Sequence, residues 1–268
     1  MDDRLFKLGT TSFIIPDHII PNVKKLGPFF DEIELLIFES QPKNVLPSRK
    51  QVDELLRLSS DHNLTYNIHL PVDVSLSFGS LDAQKKASQT LVEVLGLLKP
   101  LQATTHTLHL EMPPQLRTDI SNERQINEWK QSLGQRLDDF LAHVEEPEKI
   151  SIETLDYSFF LIEDLIQARN LPVCIDIGHA IKYGYNWMAI FQRHDVPLVH
   201  LHGVDFLTPQ KKDHTSLDRL PEENLSQVLS FLKTYTGVVS LEVFSLENLN
   251  RSLRVLAGYF KSCPLKLS

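Results

Sequence analysis

Short apolar, β-rich runs recur along the chain at nearly even spacing, at residues 6–14, 33–39, 64–70, 104–111, 150–155, 172–178, 198–205 and 238–244. Between most of them lie segments whose apolar positions repeat with helical period, at 49–62, 82–98, 123–144, 158–169, 222–235 and 246–260, with weaker helical patterns at 22–30 and 185–194. Parallel strands need crossover connections, so eight strands alternating with about as many helices imply a parallel sheet. A doubly wound open sheet usually carries a glycine-rich phosphate turn after its first strand, and "KLGTTSFIIP" has one glycine. Its 268 residues match the size of eight β/α units. The pattern predicts an α/β fold, a (β/α)8 TIM barrel, as one domain over residues 1–268 with its active site at the C-terminal mouth of the strands.

Strand residues alternate between faces, so polar residues two apart share a side. Strand three gives Thr65, Asn67 and His69; strand four Thr107, His109 and Glu111; strand five Ser151 and Glu153. Strand six gives Cys174 and Asp176, strand seven His200 and His202, strand eight Ser240 and Glu242. The opposite parity is mostly Leu, Ile or Val, with Tyr66, His106 and Thr154 as exceptions. The stretch "VCIDIGHA" adds His179 just past Asp176, and the loop "KKDHTSL" adds Asp213 and His214. On strand two, parity and strand end disagree about whether Glu34 or Glu39 faces inward. His106 is expected below the mouth, and His18, His62, His143 and His194 at the surface.

Carboxylates gathered in an apolar barrel repel one another unless a cation neutralises them, and imidazole with carboxylate suits Zn, Mn or Fe. Structural zinc sites favour thiolates, and Cys174 and Cys263 are the only cysteines. A single octahedral ion needs few protein ligands, and Glu153, Asp176, His202 and Glu242 would suffice, with His202 preferred to His200 because it is nearer the strand end. The remaining His69, His109, His179, His200, Asp213 and His214 invite a second or third ion, with Glu153 or Glu242 bridging. One to three divalent ions are therefore expected, with activity falling as pH drops through the histidine range near ~6.5.

Composition narrows the partners. A formal net charge of −8 disfavours a nucleic-acid binder. No apolar run approaches the ~20 residues of a membrane span, and the opening "MDDRLFKLG" lacks an apolar signal core. The expectation is a cytoplasmic enzyme acting on a small molecule.

The ring resembles the xylose-isomerase-like barrel superfamily, which includes sugar isomerases, epimerases and apurinic endonucleases. "NIHLP", "TLHLE", "SIETLD", "CIDIGHA", "LVHLHGVD" and "SLEVF" are similar to its motifs, in order and over nearly the whole chain. "KKDHTSL" resembles the endonuclease D-x-H element but sets Asp213 directly beside His214 and lacks the glycines that usually follow. Within the superfamily, "LGTTSFIIPDHIIPNV", "EIELLIFES" and "SIETLD" are most similar to the cobamide-remodelling phosphodiesterases. That resemblance implies hydrolysis of the phosphate–ribose bond in the nucleotide loop of adenosylated cobamides, giving cobinamide phosphate and an α-ribazole-type nucleoside. It implies Glu153, Glu242 and His179 as catalytic residues, and a corrinoid met by Thr10, Thr11, Ser12 and Glu39. The alternative is a sugar or sugar-phosphate isomerase or epimerase, with one ion and Glu153 and Glu242 moving protons. A non-catalytic barrel that binds a corrinoid or sugar is a third reading, and the costly clustering of ligands argues against it.

Overall fold

A computed structural model of the chain describes residues 3–41, 45–117 and 122–267. Eight parallel strands close into a barrel. They are β1 (Lys7–Thr11), β2 (Glu32–Leu36), β3 (Thr65–His69), β4 (His106–Leu108), β5 (Ile150–Glu153), β6 (Val173–Asp176), β7 (Leu198–Leu201) and, last in the chain, β10 (Val238–Leu241). The strands follow chain order round the barrel, and β1 closes on β10 through Lys7–Val238 to Thr10–Leu241. The predicted TIM barrel is the observed fold.

The predicted strand at 198–205 divides at His202. Its outer half, β8 (Gly203–Asp205), leaves the barrel and pairs antiparallel with β9 (Lys212–Thr215). The segment expected to be a loop is thus half of a hairpin, and it carries Asp213 and His214 over the mouth. The strand predicted to run to residue 178 ends at Asp176 instead. There the side chain caps the helix Ile177–Tyr183 by accepting from the His179 amide at 2.7 Å.

The helices bury one stripe each. In Glu123–Leu141 the buried positions Ile126, Trp129, Leu133, Leu137 and Phe140 fall on one face, and the Trp129 indole donates to the Ser77 carbonyl at 3.1 Å. Inside the barrel, Cys174, Leu198 and Val238 form a small apolar cluster. Glu32 is satisfied there by Thr65, Asn67 and Thr104 at 2.5, 2.9 and 2.8 Å. This filled lower half is why chemistry is confined to the top. His106 is buried at the start of β4, as expected below the mouth. His194 is not at the surface: its side chain is 3% exposed and its Nε2 lies 3.0 Å from Glu163 Oε1. The carboxylate supplies the partner that lets an imidazole stay buried.

Phe140→Ala removes a fully buried ring from the helix–barrel interface and should lower stability by about 3–5 kcal/mol in chemical denaturation. A loss below about 1 kcal/mol would show that the helix does not pin the barrel wall.

Candidate metal centre

Most strand ends deliver a polar residue to the same place because parallel strands point the same way. Three groups of ligand atoms form there, the atoms of each lying within 4.8 Å of one another. The central group is Glu153, Asp176, His200 and Glu242, all buried. On one side His69 and His109 share Glu153: their Nε2 atoms lie 3.1 and 2.8 Å from its Oε2. On the other side stand His179, His202 and His214. Asp176 joins this last group to the centre, with Oδ2 2.9 Å from His179 Nδ1 and Oδ1 3.1 Å from His202 Nε2.

Both His200 and His202 fall in candidate ligand groups, but in different ones. His200, not His202, completes the quartet with Glu153, Asp176 and Glu242, because β7 reaches the ring one pleat earlier than strand length alone implied. Its Nε2 is 2.8 Å from Glu34, which also accepts from Ser240 at 2.6 Å, so Nδ1 is left facing the quartet. Glu34, not Glu39, is thus the glutamate that reaches the ring, one pleat above Glu32, and it is a positioning residue for His200. Glu39 is exposed past the strand end. Asp213 stands apart from the three groups, 2.5 Å from the Lys182 ammonium and 3.5 Å from His179 Nε2. Glu111 accepts from Ser75 and Ser77 at 2.7 and 3.2 Å and serves the loop rather than the ring.

Of the residues expected to meet substrate, Thr10 and Thr11 are buried, with hydroxyls donating to the Leu241 and Val243 carbonyls at 3.0 and 3.3 Å. Ser12 accepts from the Leu36 amide at 3.0 Å. Ser12 and Glu39 line a cavity beside the mouth. Sequence reasoning missed Gly178. A Cβ there would stand 2.2 Å from His202 Cε1, so only glycine lets the ring lie across the first turn of Ile177–Tyr183. His214 has φ 48°, a left-handed backbone held by the hairpin and by its Nδ1 bonded to the Glu242 carbonyl at 3.0 Å.

The donors fit divalent ions. His179 Nδ1, though close to Asp176, and Glu242 Oε2 are buried polar atoms outside hydrogen-bond geometry. They point into the ring as ligand atoms around a cation do. Charge tells the same story. Burial opposes ionisation of Glu153 and Asp176, but neighbouring histidines hold both well below the usual carboxylate range. Burial also opposes a charge on His179, yet Asp176 outweighs it and raises the imidazole to about 11. Burial opposes a charge on His69, His200 and His202 too, yet all three are raised, His69 by Glu153, His202 by Asp176, and His200 by Cys174 together with Glu34 and Glu153. Burial, with Glu153, Asp176 and Glu34 nearby, lifts Glu242 to about 8. His214 is lowered to about 4 by burial and by His202. Without an ion, protons do the neutralising.

Residues 20 to 263 match the profile of the xylose isomerase-like TIM barrels. The chain belongs to this family. No curated protein matches the sequence. Among solved structures it is similar to a D-tagatose 3-epimerase-like protein, at 19% identity, covering 95% of this chain and 97% of that one, with a TM-score of 0.74. It is similar to IolI, whose structure holds a zinc atom, at 16% identity, 95% and 99% coverage and a TM-score of 0.72. It also resembles the 3-keto-D-glucoside 4-epimerase YcjR of E. coli, at 12% identity, 96% and 100% coverage and a TM-score of 0.68. These likenesses establish the fold. The activities they name lie nearer the isomerase and epimerase alternative than the phosphodiesterase reading. Among the described residues no helix is long and apolar enough to cross a membrane.

Two outcomes follow from the geometry. Gly178→Ala should push His202 out of the third group and lower the metal content of the loaded protein, with a stability cost of about 1–3 kcal/mol from overpacking. An unchanged metal content would remove His202 from the ligand set. Groups whose folded pKa is raised stabilise below their unfolded pKa and lose that contribution as pH climbs through the folded value. Glu242 (4.5 to about 8) and His179 (6.5 to about 11) therefore both destabilise the metal-free protein on going from about pH 6 to 9. The depressed Glu153 and Asp176 keep their contribution over that window. The melting temperature of chelated protein should fall over this range and recover on adding metal, with metal uptake releasing protons and centred above pH ~6.5. A flat profile would contradict the charge pattern.

Proposed function

We propose that the protein is a metal-dependent phosphodiesterase. The observation that carries this reading is that Glu153 belongs to two ligand groups at once, with a third, all-histidine group adjoining through Asp176. A one-ion isomerase needs only the central quartet. His69, His109, His202 and His214 are surplus to it and are costly to gather without cations to bind. Bound in such a cluster, divalent ions activate water and neutralise the charge that collects on a phosphoryl group. Zn and Mn suit the donor set best, and Fe is compatible with it.

The chain's own residues supply the rest. His109, His179 and His214 keep 21, 19 and 21% of their side chains open, so they mark where the phosphate meets the ring. Glu153 and Asp176 hold the imidazoles in register. His179 serves as a neutral ligand when the third group is filled, and as proton donor to the departing ribose oxygen when it is not. The resemblance of "GTTSFIIP" and "IELLIFES" supports a cobamide as substrate, cleaved between phosphate and ribose. Water oxygen joins phosphorus, the phosphorus–oxygen bond to ribose breaks, and a proton goes to the departing oxygen.

A second reading, a sugar or sugar-phosphate epimerase, is favoured by the activities of the structural neighbours and by the two glutamates of the quartet. Metal analysis and a corrinoid assay separate the two. The phosphodiesterase should hold two or more ions per chain and convert adenosylcobalamin to a cobinamide species that keeps its phosphate, followed by the corrin spectrum and mass. Glu153→Ala should abolish turnover and lower the metal content. A single ion, with epimerisation of a ketose and no corrinoid turnover, would establish the second reading instead.

A further inference from the structure

A cavity of about 610 Å³ lies beside the ring, between the segments that follow β1 and β2 and the helix Arg49–His62. That is the size of pockets that enclose a drug-sized molecule. Apolar side chains, Ile20, Ile37 and Leu55 among them, share its walls with polar ones, and Phe13 and Phe38 stand at its rim edge-to-face with centroids 5.0 Å apart. Its polar groups include Asp17, His18, Glu39 and Gln51, and none of the described residues that line it is a lysine or arginine. The same aromatic pair joins it to the metal groups. Phe13 and Phe38 both pack against Phe244, at 6.3 and 6.0 Å, and Phe244 lies 4.7 Å from the His214 ring.

Each feature selects part of a ligand. Among the described lining residues two carboxylates stand against a single imidazole, a balance that disfavours phosphate, and the carboxylates accept from hydroxyl groups. Exposed aromatic rings offer faces and edges to a flat heterocycle. The volume admits a base with its sugar but not a substituted macrocycle. We propose that this cavity receives the uncharged nucleoside half of the phosphodiester, the half that leaves as an alcohol, while the phosphate stays over the histidines of the ring. The assignment rests on the phosphodiesterase reading and adds the orientation of its substrate: base and ribose toward β1 and β2, the corrinoid outward from the mouth.

The test is calorimetric binding of α-ribazole to the purified full chain, before and after chelation. Binding should survive chelation, because the cavity needs no ion. α-Ribazole phosphate should bind chelated protein about tenfold more weakly than α-ribazole, and Glu39→Lys should narrow that gap. Val45→Trp places an indole in the cavity from a half-exposed position, with the fold checked by circular dichroism, and should weaken α-ribazole about tenfold or more. Absence of α-ribazole binding, or binding indifferent to Val45→Trp, overturns the inference even if corrinoid is turned over. Binding that behaves as expected without corrinoid turnover keeps the pocket for a nucleoside and removes the phosphodiesterase reading.

Discussion

Four buried carboxylates, Glu34, Glu153, Asp176 and Glu242, converge at the barrel mouth, and the surrounding structure answers to that fact. Isolated buried charges of one sign are too costly to keep. In the metal-free chain the cost is met in two ways. Histidines hold protons beyond their ordinary range, and Glu242 keeps its own proton to about pH 8. Divalent ions bound by these residues would take over the neutralising, and the protons held by the ring would be released.

The barrel supplies the convergence. Its parallel strands bring His69, Glu153, Asp176, His200 and Glu242 to one level, and its lower half is closed by side chains that leave no room for ligand. Fine placement belongs to smaller devices. Glu34 turns His200, Gly178 clears space for His202, and the hairpin of β8 and β9 carries His214 over the mouth in a strained backbone. Lys182 occupies Asp213, and so the third group is built from imidazoles alone among the described residues. An all-neutral ligand set would leave more positive charge on a bound ion than a carboxylate would, the feature on which the phosphodiesterase proposal draws.

Fold likeness to epimerases and the surplus of ligands pull in different directions, and the two belong to different levels of description. One barrel hosts many chemistries through the residues at its mouth. The quartet of Glu153, Asp176, His200 and Glu242 suffices for one-ion sugar chemistry. The flanking histidines and the adjoining aromatic cavity lie outside that quartet, and the phosphodiesterase proposal gives each of them a part of the diester to meet.

The sequence by itself determined the barrel, because alternation of apolar strands and amphipathic helices is a local property that parallel pairing turns into closure. It determined most of the ring too, since period-two parity places polar residues at i and i+2 on the face that points inward. His69, His109, Glu153, Asp176 and Glu242 were legible in that way. Only the tertiary structure assigned His200 and His202 to different groups and brought Glu34 rather than Glu39 to the ring, since each pair sits near a strand end, where register against neighbours, not parity, sets height. It alone moved Asp213 to Lys182, gave Gly178 its role and buried His194 on Glu163. These are contacts between residues distant in the chain or packed across elements, which no local pattern encodes.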